Sequence, residues 1–155
     1  MHLTKVFGII FTLIAWLAAP AVSQPSAGFA PIEIRLVAKE AQGGAAVAVA
    51  GHERTLAVEP ETLLSPADFV SVGEVEWVEG KPGFNVALTP AGAEKYERIS
   101  TDNIGRTLAI IVDGKIVMAP KILDPVRAQG FLLTLNSEAE ARELAAKVRQ
   151  VVAPN

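Results

Sequence analysis

The stretch from Leu88 to Pro120, LTPAGAEKYERISTDNIGRTLAIIVDGKIVMAP, constrains the fold most, because it reads without a gap as helix, strand, tight turn and strand. Thr89 suits the N-cap of a helix whose first residue is Pro90, where the N–H that proline lacks would have no partner anyway. Gly105 stands where that helix must stop, since glycine enters the left-handed C′ conformation at little cost. Leu108 to Val112 is wholly apolar and rich in β-branched residues, the pattern of a strand buried on both faces. Asp113-Gly114 then predicts a type I′ turn, whose two central residues need positive φ. Lys115 to Ala119 supply the returning strand, and Pro120 ends it.

Upstream, Ile32, Ile34 and Leu36 alternate with Glu33, Arg35 and Val37, which predicts a half-buried strand. The Ala- and Gly-rich stretch from Ala41 to Gly51 reads as a loop with short extended pieces. Arg54 to Val58 predicts another strand, and Ser65-Pro66 opens a brief helical turn through Phe69. A hairpin is expected next. Val75 and Trp77 alternate with Glu74 and Glu76, Gly80-Lys81-Pro82-Gly83 turns the chain, and Phe84, Val86 and Leu88 return with the same period. Downstream, Lys121 to Gln129 reads as a loop and Phe131 to Leu135 as a short strand. Ser137 and Glu140 fit a capping box ahead of Ala141, Leu144, Ala145 and Val148 at helical spacing. Glu138–Arg142 and Glu143–Lys147 make favourable pairs on the opposite helix face. The sum is an α+β fold, a mainly antiparallel sheet with two helices packed on one face.

Several of these segments, taken in order, resemble the head subdomain of the first periplasmic domain of SecD, a membrane subunit of the bacterial protein-export translocase. The resemblance rests on Leu64-Ser65-Pro66-Ala67-Asp68, Leu88-Thr89-Pro90-Ala91-Gly92-Ala93, Asn103-Ile104-Gly105-Arg106, Leu108-Ala109-Ile110, Asp113-Gly114-Lys115, Ala119-Pro120 and Glu140-Ala141. These run from about Arg54 to Arg149, and their order and spacing carry the signal rather than any single motif. No stretch resembles the transmembrane bundle by which that family taps the proton gradient, so the expectation is a stand-alone head module and not a complete export motor. The implied organisation is a signal peptide over residues 1–23, an N-terminal strand and Gly/Ala-rich loop over 24–53, and a head-like domain over 54–152.

The first 23 residues read as a secretory signal. Lys5 gives a weakly positive start, Val6 to Ala19 is an apolar core shorter than the roughly 20 residues of a spanning helix, and Ala21-Val22-Ser23 offers small residues for cleavage before Gln24. A retained anchor is the alternative. Mass spectrometry of the N-terminus distinguishes them: a periplasmic product beginning at Gln24 is expected, and an intact Met1 in the membrane fraction would refute cleavage. Beyond this segment no stretch is long and apolar enough to span a bilayer.

Cysteine is absent, which excludes a lipid-anchoring cysteine, a thiol nucleophile and thiolate metal sites, and leaves an exported chain to rest on packing alone. Removing Lys5 leaves 13 basic against 17 acidic residues, a formal charge of −4. Nucleic acid is therefore not an expected partner, since phosphate binding draws on clustered basic residues. His52 is the sole histidine beyond the signal segment, and one imidazole beside Glu53 in a Gly-rich loop reads as an exposed loop residue rather than a metal ligand or base. Asp113 beside Lys115 is explained by turn chemistry. Glu74, Glu76 and Glu79 read as a solvated strand face without the glycine-centred loop of a calcium site. Phosphate-loop, nucleophile-elbow and zinc-helix motifs are missing, so neither catalysis nor a cofactor or metal is expected.

Trp77, Phe84 and Tyr96 could line a groove, but aromatics at strand and helix spacing read first as core. The loop from Pro120 to Val126 has no regular period and carries Ile122, Leu123 and Val126 between two prolines. It either presents these groups to a partner or folds them back over the sheet. With Met118 on the preceding strand they are the candidate polypeptide contacts. The resemblance implies a periplasmic module that binds extended or unfolded polypeptide, with an exposed sheet edge pairing with the peptide backbone. The alternative is an envelope adaptor or structural protein with one specific protein partner. No nucleic acid and no membrane span after signal cleavage are implied.

Overall fold

The apolar run at 108–112 is buried on both faces because it lies between two separate cores, as the computed structural model, which describes residues 30–39 and 43–152, shows. The elements in order are β1 (Ile32–Leu36), β2 (Ala45–Ala48), β3 (Thr55–Val58), a 3-10 turn (Pro66–Asp68), β4 (Phe69–Val72), β5 (Glu76–Val78), β6 (Lys81–Leu88), α1 (Pro90–Asp102), β7 (Leu108–Val112), β8 (Lys115–Met118), β9 (Gly130–Thr134) and α2 (Glu138–Val151). The signal segment lies outside the described residues. The α+β class holds, with antiparallel ladders throughout and two helices, but the strands fall into three sheets.

In the first sheet, β7 is central between β1 and β8. The pair β2–β3 closes a ring with it. Val49 bridges Ile116 on one side, and Val37 bridges Val58 on the other, reinforced by Ala38 N–H to Ala57 C=O at 2.8 Å and Glu59 N–H to Leu36 C=O at 2.9 Å. Val47, Val49, Val58, Ala109, Ile111 and Ile116 form the smaller core inside it. The opposite face presents Ile32, Ile34, Leu36, Leu108, Ile110 and Val112 to the main core.

This ring corrects the reading of β1 as half-buried. Glu33 pairs across the ladder with Ile111, and Arg35 with Ala109, so both charged side chains point the same way as the ring core, and every residue of β1 is buried. The charges persist there because they pair. Arg35 Nε lies 2.7 Å from the Glu33 carboxylate, which also accepts from Ala30 N–H at 3.3 Å and the Thr62 hydroxyl at 3.4 Å.

The second sheet centres on β6, with β4 and β5 following one another along one edge and β9 along the other. Strand β4 has no counterpart in the sequence reading, and its ladder is broken by an irregularity between Phe69 and Ser71. The β5–β6 turn also differs. Glu79 (φ 51) and Gly80 (φ 78) are the two turn residues, and Pro82 and Gly83 lie within the strand. The expected Asp113-Gly114 turn is present, with φ values of 50 and 73. Both helices pack into the main core, α1 through Tyr96 and Ile99, and α2 through Ala141, Ala145 and Val148. Ser137 caps α2 by accepting from Glu140 N–H at 3.2 Å, and the Glu138–Arg142 and Glu143–Lys147 pairs form as expected.

Two motifs interlock at the start of α1. Thr89 Oγ1 accepts from Gly92 N–H at 3.0 Å, while Thr89 N–H donates to Asp68 C=O at 2.9 Å. The Asp68 carboxylate, itself buried, accepts from Ser65 N–H at 2.8 Å and from Lys95 Nζ at 2.8 and 3.0 Å. Burial alone raises the Asp68 pKa, but the Lys95 and Ser65 hydrogen bonds and the Lys95 charge outweigh it and hold the carboxyl below its ordinary value of 3.8. The folded-state pKa thus lies below the unfolded one. Its stabilisation is complete above the unfolded value and is lost as pH falls through the folded one. Wild type is therefore expected to melt above Asp68→Asn at neutral pH, with the gap closing on acidification below about pH 4. A gap that stays constant with pH would contradict the linkage.

At its other end α1 stops earlier than the glycine implies. Asn103 is the C-cap, its Nδ2 donating to Ile99 C=O at 2.9 Å, and Gly105 follows two residues later at φ +83. A Cβ on Gly105 would meet nothing within 4 Å. Gly105→Val is therefore expected to lose only the backbone term, about 1–3 kcal/mol, read as a lowered denaturant midpoint. An unchanged midpoint would remove the constraint.

Candidate functional site

The loop from Pro120 to Val126 is held along its length, beginning with Leu108 N–H, which donates to Pro120 C=O at 2.9 Å. Gly105 N–H donates to Ile122 C=O at 2.7 Å, Ile122 N–H donates to Arg106 C=O at 2.8 Å, and Val126 N–H donates to the Ser100 hydroxyl oxygen at 2.8 Å. Ser100, fully buried, donates its hydroxyl hydrogen bond to Glu97 C=O at 2.9 Å. Arg106 reaches beyond the loop to Val37 C=O at 3.2 Å and pairs with Glu59, which ties the end of α1 to the first sheet. The Asn103-Ile104-Gly105-Arg106 segment is thus a clamp that seats the loop.

So held, the loop divides its apolar residues. Ile122 is 4% exposed and belongs to the main core, Val126 is half-buried against that core, and Leu123 is 70% exposed. Of the two alternatives the sequence leaves open, folding back applies to Ile122 and presentation to Leu123. Ile122 as an exposed contact is therefore corrected, because its backbone bonds on both sides turn the side chain inward. Ile104, at 53% exposure, neighbours the bonded Gly105 and lies at the same end of the molecule as Leu123. Only its unpatterned apolar character after a helix end could have signalled it.

A groove of about 480 Å³ runs beside the loop, with Tyr96, Leu108, Ile122, Leu123 and Val126 among its walls and Lys121 and Arg127 at its rim. Arg127 pairs with Glu97 at 2.6 Å. Burial raises the Tyr96 pKa, so the phenol in this wall stays neutral across the physiological range. Its ring stands 6.3 Å from that of Phe131. The groove can therefore take apolar side chains, and it places no nucleophile beside a base.

The structure brings Ile122, Leu123 and Val126 together and sets Met118 apart. Met118 lines another cleft with His52, Arg54, Thr134 and Glu140. His52 is exposed in a turn after β2, as expected of a loop histidine. Asp113 pairs with Lys147 at 3.0 Å, which joins the β7–β8 turn to α2. Glu79 sits in a turn and Glu74 pairs with Arg149 at 3.0 Å, so these acidic residues do not form one strand face. Among the described residues no group of three or more His, Asp or Glu could hold a metal ion. Phe84 and Tyr96 are core, as read, but Trp77 is 65% exposed. It stands opposite Pro82 in the middle of β5.

Residues 36–151 match the model of the SecDF P1 head subdomain. The chain belongs to this family. The match reaches further toward the N-terminus than the motifs do, taking in β2 and the end of β1. The chain is 36% identical over 88 residues to the protein translocase subunit SecDF of Thermus thermophilus, covering 56% of this chain and 12% of that protein. It is 37% identical over 70 residues to SecD of Thermobaculum terrenum, covering 45% and 14%. The P1 head module thus spans under one sixth of the length of these relatives. Among solved structures, SecDF in its super-membrane-facing form superposes with a TM-score of 0.61 at 25% identity over 76% of this chain and 18% of that one. A second SecDF structure, of a membrane component that enhances protein export, gives 0.61 at 27% identity over 76% and 61%. Among the described residues no helix is long and apolar enough to cross a membrane.

Proposed function

We propose that this P1 head module is a non-enzymatic periplasmic binding domain for extended or unfolded polypeptide, acting in connection with protein export. The observation that carries the reading is the groove beside the clamped loop. Its apolar wall is held by α1 and β7, and Leu123 extends the wall outward at 70% exposure. An exposed leucine fixed on a rigid frame offers apolar contact without ordering a mobile loop first, which lowers the cost of binding. Family membership supports the link to export, and the likeness to a membrane component that enhances protein export supports it further.

Titration with a panel of unrelated proteins, each reduced and unfolded, tests the reading. Comparable micromolar affinities across the panel are expected, as sequence-tolerant contacts predict. No binding to the panel, together with one stable partner recovered from envelope extract, would overturn it in favour of a dedicated adaptor.

A further inference from the structure

Strand β9 carries backbone groups that meet no partner among the described residues. Its ladder with β6 runs through odd-numbered residues: Leu88 N–H donates to Gln129 C=O at 2.7 Å, Leu135 N–H donates to Pro82 C=O at 2.8 Å, and Phe131 and Leu133 hold the register between them. Gly130, Leu132 and Thr134 therefore direct their N–H and C=O groups to the opposite edge. Among the described residues no strand pairs with that edge and no backbone or side-chain hydrogen bond meets it.

The neighbour on that side is β8. Cα atoms of the two strands come within 8 Å, yet no ladder joins them. Met118, Ala119 and Thr134 line a cleft of about 200 Å³ where they meet. The main core runs continuously beneath both, through Met118 and Val117 on one side and Phe131 and Leu133 on the other. The first and second sheets thus form one layer over a common core, interrupted between β8 and β9. The edge at the interruption, Gly130–Thr134, has no charge, proline or bulge, the devices by which free edges are ordinarily protected.

We propose that the free edge of β9 receives an extended polypeptide, which adds to β9 as an outer strand in the cleft beside Met118 and Ala119. This rests on the polypeptide-binding reading and names the recognised group as the peptide backbone. The three outward N–H and C=O sets repeat at alternate residues, a spacing that an extended chain matches whatever its side chains. A second folded copy does not fit, because its edge strand would bring its own packed layers against β8 and the ring behind it.

Leu132→Pro removes an N–H that β6 does not use, at an edge position where proline is admitted. Its affinity for a reduced, unfolded protein is expected to fall about tenfold or more with the fold retained by circular dichroism. A second arm leaves the protein unaltered and compares an extended apolar peptide with the same peptide N-methylated at four consecutive amides, again expecting a loss of about tenfold or more. This arm decides the matter if the proline variant fails to fold. Unchanged affinity of a folded Leu132→Pro, or of the methylated peptide, would overturn the edge site and leave polypeptide binding standing. Absence of binding to both the unfolded protein and the unmethylated peptide would overturn the two together.

Discussion

Gly92→Ala is expected to destabilise the protein by about 3 kcal/mol, although alanine is the better helix former by about 1 kcal/mol. The added Cβ would lie 2.3 Å from the Asp68 carbonyl oxygen and 3.1 Å from Thr89 Oγ1. That carbonyl cannot retreat freely. It accepts from Thr89 N–H, and its own residue is held by Ser65 and Lys95, so relief of the clash would break the junction between the 3-10 turn and α1. The close approach packs Thr89-Pro90-Ala91-Gly92 directly against Asp68. Denaturant unfolding checks the value, and a variant as stable as wild type would show that the junction can shift.

Two serine substitutions one residue apart are expected to behave oppositely. Ile122→Ser removes a core side chain and places a hydroxyl among Leu108, Tyr96 and their neighbours, a loss of about 3–4 kcal/mol. Leu123→Ser changes a side chain that is mostly in solvent and should stay within about 0.5 kcal/mol of wild type. Equal effects in denaturant melts would contradict the division of the loop between core and surface.

What the sequence makes legible here is the chemistry that acts over three or four residues. Thr89 and Ser137 cap helices, Asp113-Gly114 turns a hairpin, and the unbroken apolar run of β7 matches its burial on both faces. Features decided by distant packing were not legible. Glu33 and Arg35 alternate with isoleucines like a solvated face, and only closure of the ring by β2 and β3 buries them. Trp77 keeps the alternation of a core aromatic but stands exposed on β5 opposite Pro82. Strand β4 was obscured by its shortness and irregular ladder. Aperiodicity in the sequence matches the irregular backbone of residues 121–129, but it could not assign an inward side chain to Ile122 and an outward one to Leu123. That assignment depends on hydrogen bonds to Gly105 and Arg106, which only the fold brings near.

Binding of unfolded polypeptide at the loop is tested most directly by calorimetric titration of wild type and Leu123→Ser with one reduced, unfolded protein and with the same protein folded. Wild type should bind the unfolded form and ignore the folded one, and Leu123→Ser should bind about tenfold more weakly at unchanged stability, the scale of one partly buried leucine. Failure of wild type to bind the unfolded form, or equal affinity in the two proteins, would contradict the account.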